Sequence, residues 1–151
     1  KSREIIGIDY DSDKVNIAQN YFMFKNLQNL RFSNQNILDA KLENPDVILL
    51  NDVLHYLDKK SQSFVLINCF KNLNENGLIL IREGEKENKN HIFTKFTELL
   101  STKIFRFNKA ESALSFISRS YLNDLAKQFS FTIEELSHSK ITSNKLFILR
   151  K

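Results

Sequence analysis

In Glu4-Ile5-Ile6-Gly7-Ile8-Asp9 an apolar run ends in a carboxylate, and a helix signal, Tyr10-Asp11-Ser12-Asp13, follows at once. An Ile-rich run of this length is the pattern of a buried strand in a parallel sheet. In open α/β sheets, ligands bind just outside the carboxyl ends of the strands. Asp9 therefore stands where an acid accepts both hydroxyls of a ribose, each charge-assisted bond contributing about 1.5–3 kcal/mol. The same carboxylate can instead make a turn or cap the helix that follows.

Strand and helix signals alternate outward from this segment. Asp11, Ser12 or Asp13 caps a helix whose stripe is Val15, Ala18 and Phe22, widened by Ile17, Tyr21 and Phe24. Leu30–Ser33 is a short strand, and Asp46-Val47-Ile48-Leu49-Leu50-Asn51 a strong one. Asp58 caps a helix from about Lys59 to Leu73, with Phe64, Ile67 and Phe70 among its apolar positions. Asn76-Gly77 closes it, Gly77 supplying the left-handed exit, and Leu78–Arg82 is the next strand. His91 to Leu100 and Tyr121 to Phe129 read as helices, and Ile104 to Ser118 is ambiguous. Thr132–Leu136 and Leu146–Leu149 have no helix between them and should pair antiparallel. The sum is a mainly parallel sheet with helices on both faces and a C-terminal antiparallel hairpin, in a single domain over 1–151.

Composition narrows the class. The chain has 151 residues, 42% hydrophobic with 13 Phe, enough for one core. No apolar run approaches the ~18–20 residues of a membrane span, so no membrane insertion is expected. The net charge of +4 is dispersed. The richest stretch, Arg82 to Lys89, interleaves Glu83, Glu85 and Glu87 and reads as a solvated loop, with no nucleic-acid stripe. The lone cysteine, Cys69, excludes an internal disulfide framework, suits a reducing, cytoplasmic setting and reads as packing. No histidines, carboxylates or thiols show metal-ligand spacing, so no metal is expected.

Four ordered stretches resemble class I S-adenosylmethionine (SAM)-dependent methyltransferases. Ile6-Gly7-Ile8-Asp9-Tyr10-Asp11 resembles the family's second strand and ribose acid. Phe32-Ser33-Asn34-Gln35-Asn36-Ile37-Leu38 resembles its third strand and adenine-contacting turn. Asp46 through Leu57, with Asn51-Asp52-Val53-Leu54-His55-Tyr56 at its end, resembles the fourth strand and following turn. Leu73-Asn74-Glu75-Asn76-Gly77-Leu78-Ile79-Leu80-Ile81 resembles the entry to the fifth. The tail, from Ser118 to Leu149, resembles the last helix and closing hairpin more weakly.

The resemblance implies a cofactor, SAM, and roles for five residues. Asp9 would bind the ribose, Tyr10 would lie along the adenine, and Asn36, where the family usually has Asp, would accept the adenine amino group. The Ile37 N–H would serve a ring nitrogen, and Asn51 would face the methionine part. His55 is the one histidine near the mouth implied for the site. It is either a general base for a substrate hydroxyl or amine or a packed histidine. Asn36 can equally make a turn, and Asn51 and Asp52 can cap the short helix after them. The acceptor would be a small or lipid-like molecule, with Ile104–Phe107 through Phe116-Ile117 as a lid.

The family's first strand and its glycine-rich turn find no match. The three glycines, Gly7, Gly77 and Gly84, are too far apart to form such a loop. The expectation is an N-terminally truncated domain, inactive by itself. Its gap would be closed by direct pairing of Ile5–Asp9 with Asp46–Asn51, by a homodimer across the exposed edges, or by another chain. Two other functions compete: a non-catalytic nucleotide-binding or protein-interaction module, and a remnant of an NAD-type dehydrogenase.

Overall fold

A computed structural model of the chain describes residues 3–84, 115–136 and 144–151. The chain divides into two compact units, residues 1–41 and 42–151.

The first unit is strand, helix, strand: β1 (Ile5–Asp9), α1 (Ser12–Phe24) and β2 (Leu30–Asn34). The strands pair in parallel, with Ile5 opposite Leu30 and Asp9 opposite Asn34. Asp11 caps α1, its carboxylate accepting the Asp13 N–H at 2.9 Å and the Lys14 N–H at 3.4 Å. Gly7 lies opposite Phe32, and a Cβ at Gly7 would fall 2.3 Å from Phe32 Cε1. The missing side chain gives the ring its room, and Phe32 stacks on Phe22 at 5.0 Å. Val15 is buried, but Ile17, Tyr21 and Phe24, expected to widen the apolar stripe, are 70%, 55% and 82% exposed. The stripe is narrower than the composition suggested, because a two-stranded sheet offers one helix little surface.

The second unit holds β3 (Val47–Asn51), α2 (Lys59–Asn72), β4 (Leu78–Gly84), α3 (Arg119–Gln128), β5 (Thr132–Leu136) and β6 (Asn144–Arg150). Its sheet runs β3-β4-β6-β5. The first pair is parallel and the other two antiparallel. This differs from the expectation of one mainly parallel sheet: the described residues form two sheets, and β6 inserts between β4 and β5. The β5–β6 connection and the helix expected over His91–Leu100 lie outside the described residues. Among the described residues β1 has one neighbour, β2, and β3 has one, β4. Direct pairing of Ile5–Asp9 with Asp46–Asn51 is therefore not seen.

The core of the second unit is built by two periodicities. Ile48 and Leu50 of β3 and Ile79, Ile81 and Glu83 of β4 are buried at every second position. On α2 the buried set is Gln62, Val65, Leu66, Cys69 and Phe70, at helical spacing, continued by Leu73. Phe64, one of the apolar positions of the helix, falls off that stripe and is 54% exposed. Helix α3 adds Leu122, Leu125 and Ala126. It lies beside α2: the Tyr121 hydroxyl meets Ser63 Oγ at 2.6 Å, and Phe70 stacks on Phe129 at 5.3 Å. Burial pushes the Cys69 thiol up to about 12, in keeping with a packing role.

Two turns fix the ends of α2. Asp58 accepts the Ser61 N–H at 2.7 Å, and that bond holds its carboxyl below the usual carboxylate range. At the exit it is Asn76, with φ 62°, that takes the left-handed conformation, and no glycine has positive φ. Gly77 is required by space instead. A Cβ there would lie 2.9 Å from the Asn74 carbonyl oxygen and 3.0 Å from that of Asp46.

Candidate functional site

Four of the five cofactor residues implied by sequence gather at the carboxyl ends of β1 and β2. Asp9 ends β1 and is partly buried. Its Oδ1 accepts the Asp11 N–H at 2.9 Å, which shapes the turn into α1. Asp11, not Asp9, supplies the cap, so among the described residues Oδ2 of Asp9 takes no bond and can meet a diol. The two strand ends are laced together. Asn34 Nδ2 donates to the carbonyls of Asp9 at 3.1 Å and Tyr10 at 2.6 Å, and the Gln35 N–H donates to Asp9 O at 3.1 Å. Tyr10 is half exposed at 52%.

Asn36 caps the 3-10 turn Ile37–Asp39, its Oδ1 accepting the Leu38 N–H at 3.0 Å. The turn-making role is therefore real. A carbonyl oxygen has a second lone pair, which leaves one acceptor position for an amino group. Ile37 opens that turn and is partly buried. A groove of about 630 Å³ elsewhere on this unit is lined by Phe22, Met23, Leu27, Arg31 and their neighbours. None of the cofactor residues lines it, so it is set aside as a candidate site.

The second unit carries a different arrangement. Asn51 ends β3 and is exposed. Asp52 follows with φ 51° and pairs with Arg82, whose carbonyl accepts the Asp52 N–H at 2.9 Å. Neither Asn51 nor Asp52 caps the 3-10 turn Leu54–Tyr56. Val53 holds the cap position, without a side-chain bond, because the Asp52 carboxylate is drawn to Arg82.

Glu83 is the residue that sequence reasoning missed. The charge pattern of Arg82–Lys89 reads as a solvated loop, yet β4 runs on to Gly84 and the Glu83 side chain is 1% exposed. A buried carboxylate is costly unless it is hydrogen-bonded. Both oxygens are used: Oε1 accepts the Leu54 N–H at 2.6 Å, and Oε2 meets His55 Nδ1 at 2.6 Å. The signal was available, since the alternation of Ile79 and Ile81 continues to Glu83.

The contact has a chemical consequence. A carboxylate accepts, so in the neutral imidazole the proton sits on Nδ1, toward Glu83, and Nε2 carries the lone pair. The His55 side chain is 13% exposed. Its ring lies 4.1 Å from Tyr56 and 5.8 Å from Phe116, the latter nearly parallel at 22°. An oriented imidazole with one bare nitrogen, between aromatic rings, is a competent proton acceptor. Of the segment expected to act as a lid, only residues 115–117 are described. Among the described residues, no group of three or more His, Cys, Asp or Glu could hold a metal ion, and no helix is long and apolar enough to cross a membrane.

A family model described as "Methyltransferase domain" matches residues 1–141. The chain belongs to this methyltransferase family. It is 30% identical over 82 residues to a carboxy-S-adenosyl-L-methionine synthase of Ruthia magnifica subsp. Calyptogena magnifica, covering 54% of this chain and 34% of that protein. Its fold is similar to an O-methyltransferase family protein from Burkholderia thailandensis, with TM-score 0.71 and 16% identity, over 100% of this chain and 51% of that one. It is also similar to magnesium protoporphyrin IX methyltransferase from Synechocystis PCC 6803 with bound SAH, with TM-score 0.71 and 12% identity, over 98% of this chain and 64% of that one. The methyltransferase chain thus spans about a third of the length of that curated relative and about half of the first structure.

Proposed function

We propose that these residues belong to a SAM-dependent methyltransferase that moves a methyl group to a hydroxyl or amine of a small or lipid-like acceptor, with His55 as its general base. The observation that carries the acceptor chemistry is the Glu83–His55 contact. It holds the imidazole as a base, and a base is useful where the accepting atom must lose a proton. Asp9, Tyr10, Asn36, Ile37 and Asn51 would hold the cofactor. The turn geometry around Asp9 and Asn36 fits that role, because each side chain keeps an acceptor position beyond its local bond. Bound SAM supplies a methyl group on a sulfonium, already a good leaving group, so the protein's own work is positioning and proton removal. His55 Nε2 takes the acceptor's proton, and Glu83 steadies the imidazolium that forms.

The whole chain, on this reading, is one methyltransferase domain, and the active species is the full-length protein. Among the described residues β1 and β3 each have one strand neighbour, and a further strand or a second copy would cover the other edge. The 151 residues by themselves would bind SAM poorly. The test is calorimetry with SAM, its demethylated product and NAD, on this segment and on the full-length protein. Binding of SAM and its product but not NAD by the full-length protein, weakened by Asp9→Ala, is the expected result. Preference for NAD would overturn the reading in favour of the dehydrogenase remnant, and no nucleotide binding would overturn it in favour of the non-catalytic module.

A further inference from the structure

Gln62 is a buried polar residue in the middle of an apolar helix stripe, 3% exposed. Its position in α2 explains its burial but not its polarity. Three backbone carbonyls face its amide nitrogen: Leu54 at 2.9 Å, Leu57 at 3.2 Å, and Ser115. The first opens the 3-10 turn that carries His55, and the second follows it. The third lies 53 residues away in sequence. The return contact comes from the Ser115 N–H, which donates to the His55 carbonyl at 2.9 Å. The next residue, Phe116, is the ring that lies along the His55 imidazole.

We infer that Gln62 is a positioning residue for the site: one buried amide clamps the His55 turn to the segment Ser115–Ile117, and so lays Phe116 against the imidazole. This rests on the reading of His55 as the base. Glu83 fixes the His55 ring from the β4 side through Nδ1. Gln62 fixes the backbone of the same turn from α2 and brings the second aromatic wall to it. An apolar residue at position 62 would satisfy the core as well and would leave the Leu54 and Ser115 carbonyls without this donor. The polar choice is explained by the clamp. The wall it holds suits an acceptor that presents a flat, apolar face beside the atom to be methylated.

The experiment uses the full-length protein with Gln62→Met, which keeps the volume and removes both donors, and Gln62→Glu, which turns acceptors toward the carbonyls. The readouts are the imidazole proton resonances of His55, assigned with His55→Gln, and steady-state methyl transfer. The clamp predicts that both variants shift the His55 resonances as the Phe116 ring current is lost. It also predicts that kcat falls roughly 10- to 100-fold while KM for SAM holds. If Gln62→Met fails to fold, Ser115→Pro, which removes the return N–H and changes no residue of α2, should shift the same resonances. Unmoved His55 resonances in a folded variant would overturn the clamp. Moved resonances with unchanged kcat would overturn its role in positioning. A wild-type protein without methyl transfer would instead sink the functional reading, while the resonances still decide the clamp.

Discussion

Residues 1–41 and residues 42–151 solve the folding problem in opposite ways. Among the described residues, Val15 is the one buried apolar side chain of the first unit, while Ile5, Ile6, Ile17, Met23 and Phe24 are at least half exposed. The second unit buries Leu54, Leu66, Ile79, Ile81, Leu122 and Leu149 to 2% exposure or less. The first unit is held mainly by local devices: a parallel ladder, the Asp11 cap and the Asn34 bonds between strand ends. Two strands alone rarely suffice for stability. The second unit is held by a core, and that core is what forces a carboxylate and a glutamine into defined positions. Local turn chemistry builds the proposed cofactor rim. Tertiary packing builds the proposed base.

This contrast can be broken by measurement, and the largest effect belongs to the second unit. His55→Asn should lower methyl transfer by the full-length protein by about 10²–10⁴-fold and leave SAM affinity unchanged. An equal loss of both would erase the division of labour between the units. Next comes the core: Leu66→Ala, at 0% exposure, should cost about 2–5 kcal/mol in urea unfolding, against at most about 0.5 kcal/mol for the exposed Phe24→Ala. Comparable costs would mean that the first unit has a core of its own.

Asp9→Ala should weaken SAM binding by about 1.5–3 kcal/mol, the worth of a charge-assisted bond, with kcat at saturation little changed. Gly7→Ala pushes a methyl into the Phe32 ring and should cost about 1–3 kcal/mol by overpacking. Hydrogen exchange would show the loss in β1 and β2 and spare β4.

The smallest effects are those of pH. Because the Asp58 carboxyl is held down in the folded state, its contribution is present above the ordinary 3.8 and fades as pH falls through the lower folded value. Asp58→Ala should flatten that acid limb slightly. Cys69 has the opposite sense: its thiol is raised from 9.0 to about 12, so stability drains as pH climbs through that window. At pH 8 the thiol should resist alkylation until denaturant is added.

The sequence by itself determined the elements of the proposed cofactor rim. Asp9, Asn36, the Asp58 cap and a cap for α1 among Asp11, Ser12 and Asp13 follow from strand ends and turn residues within a few positions of one another; the structure selects Asp11. Local hydrogen bonds of that kind are encoded locally. Spacing also gave the β5 limits, Thr132–Leu136. What only the tertiary structure decided is which side chains are buried against distant partners. Glu83 belongs with His55 across 28 residues, and Gln62 with Ser115 across 53. A glutamate beside Arg82 looks solvated in one dimension, and a glutamine in a helix looks like surface. Their roles arise because the core closes around them and leaves their polar atoms only the neighbours that satisfy them.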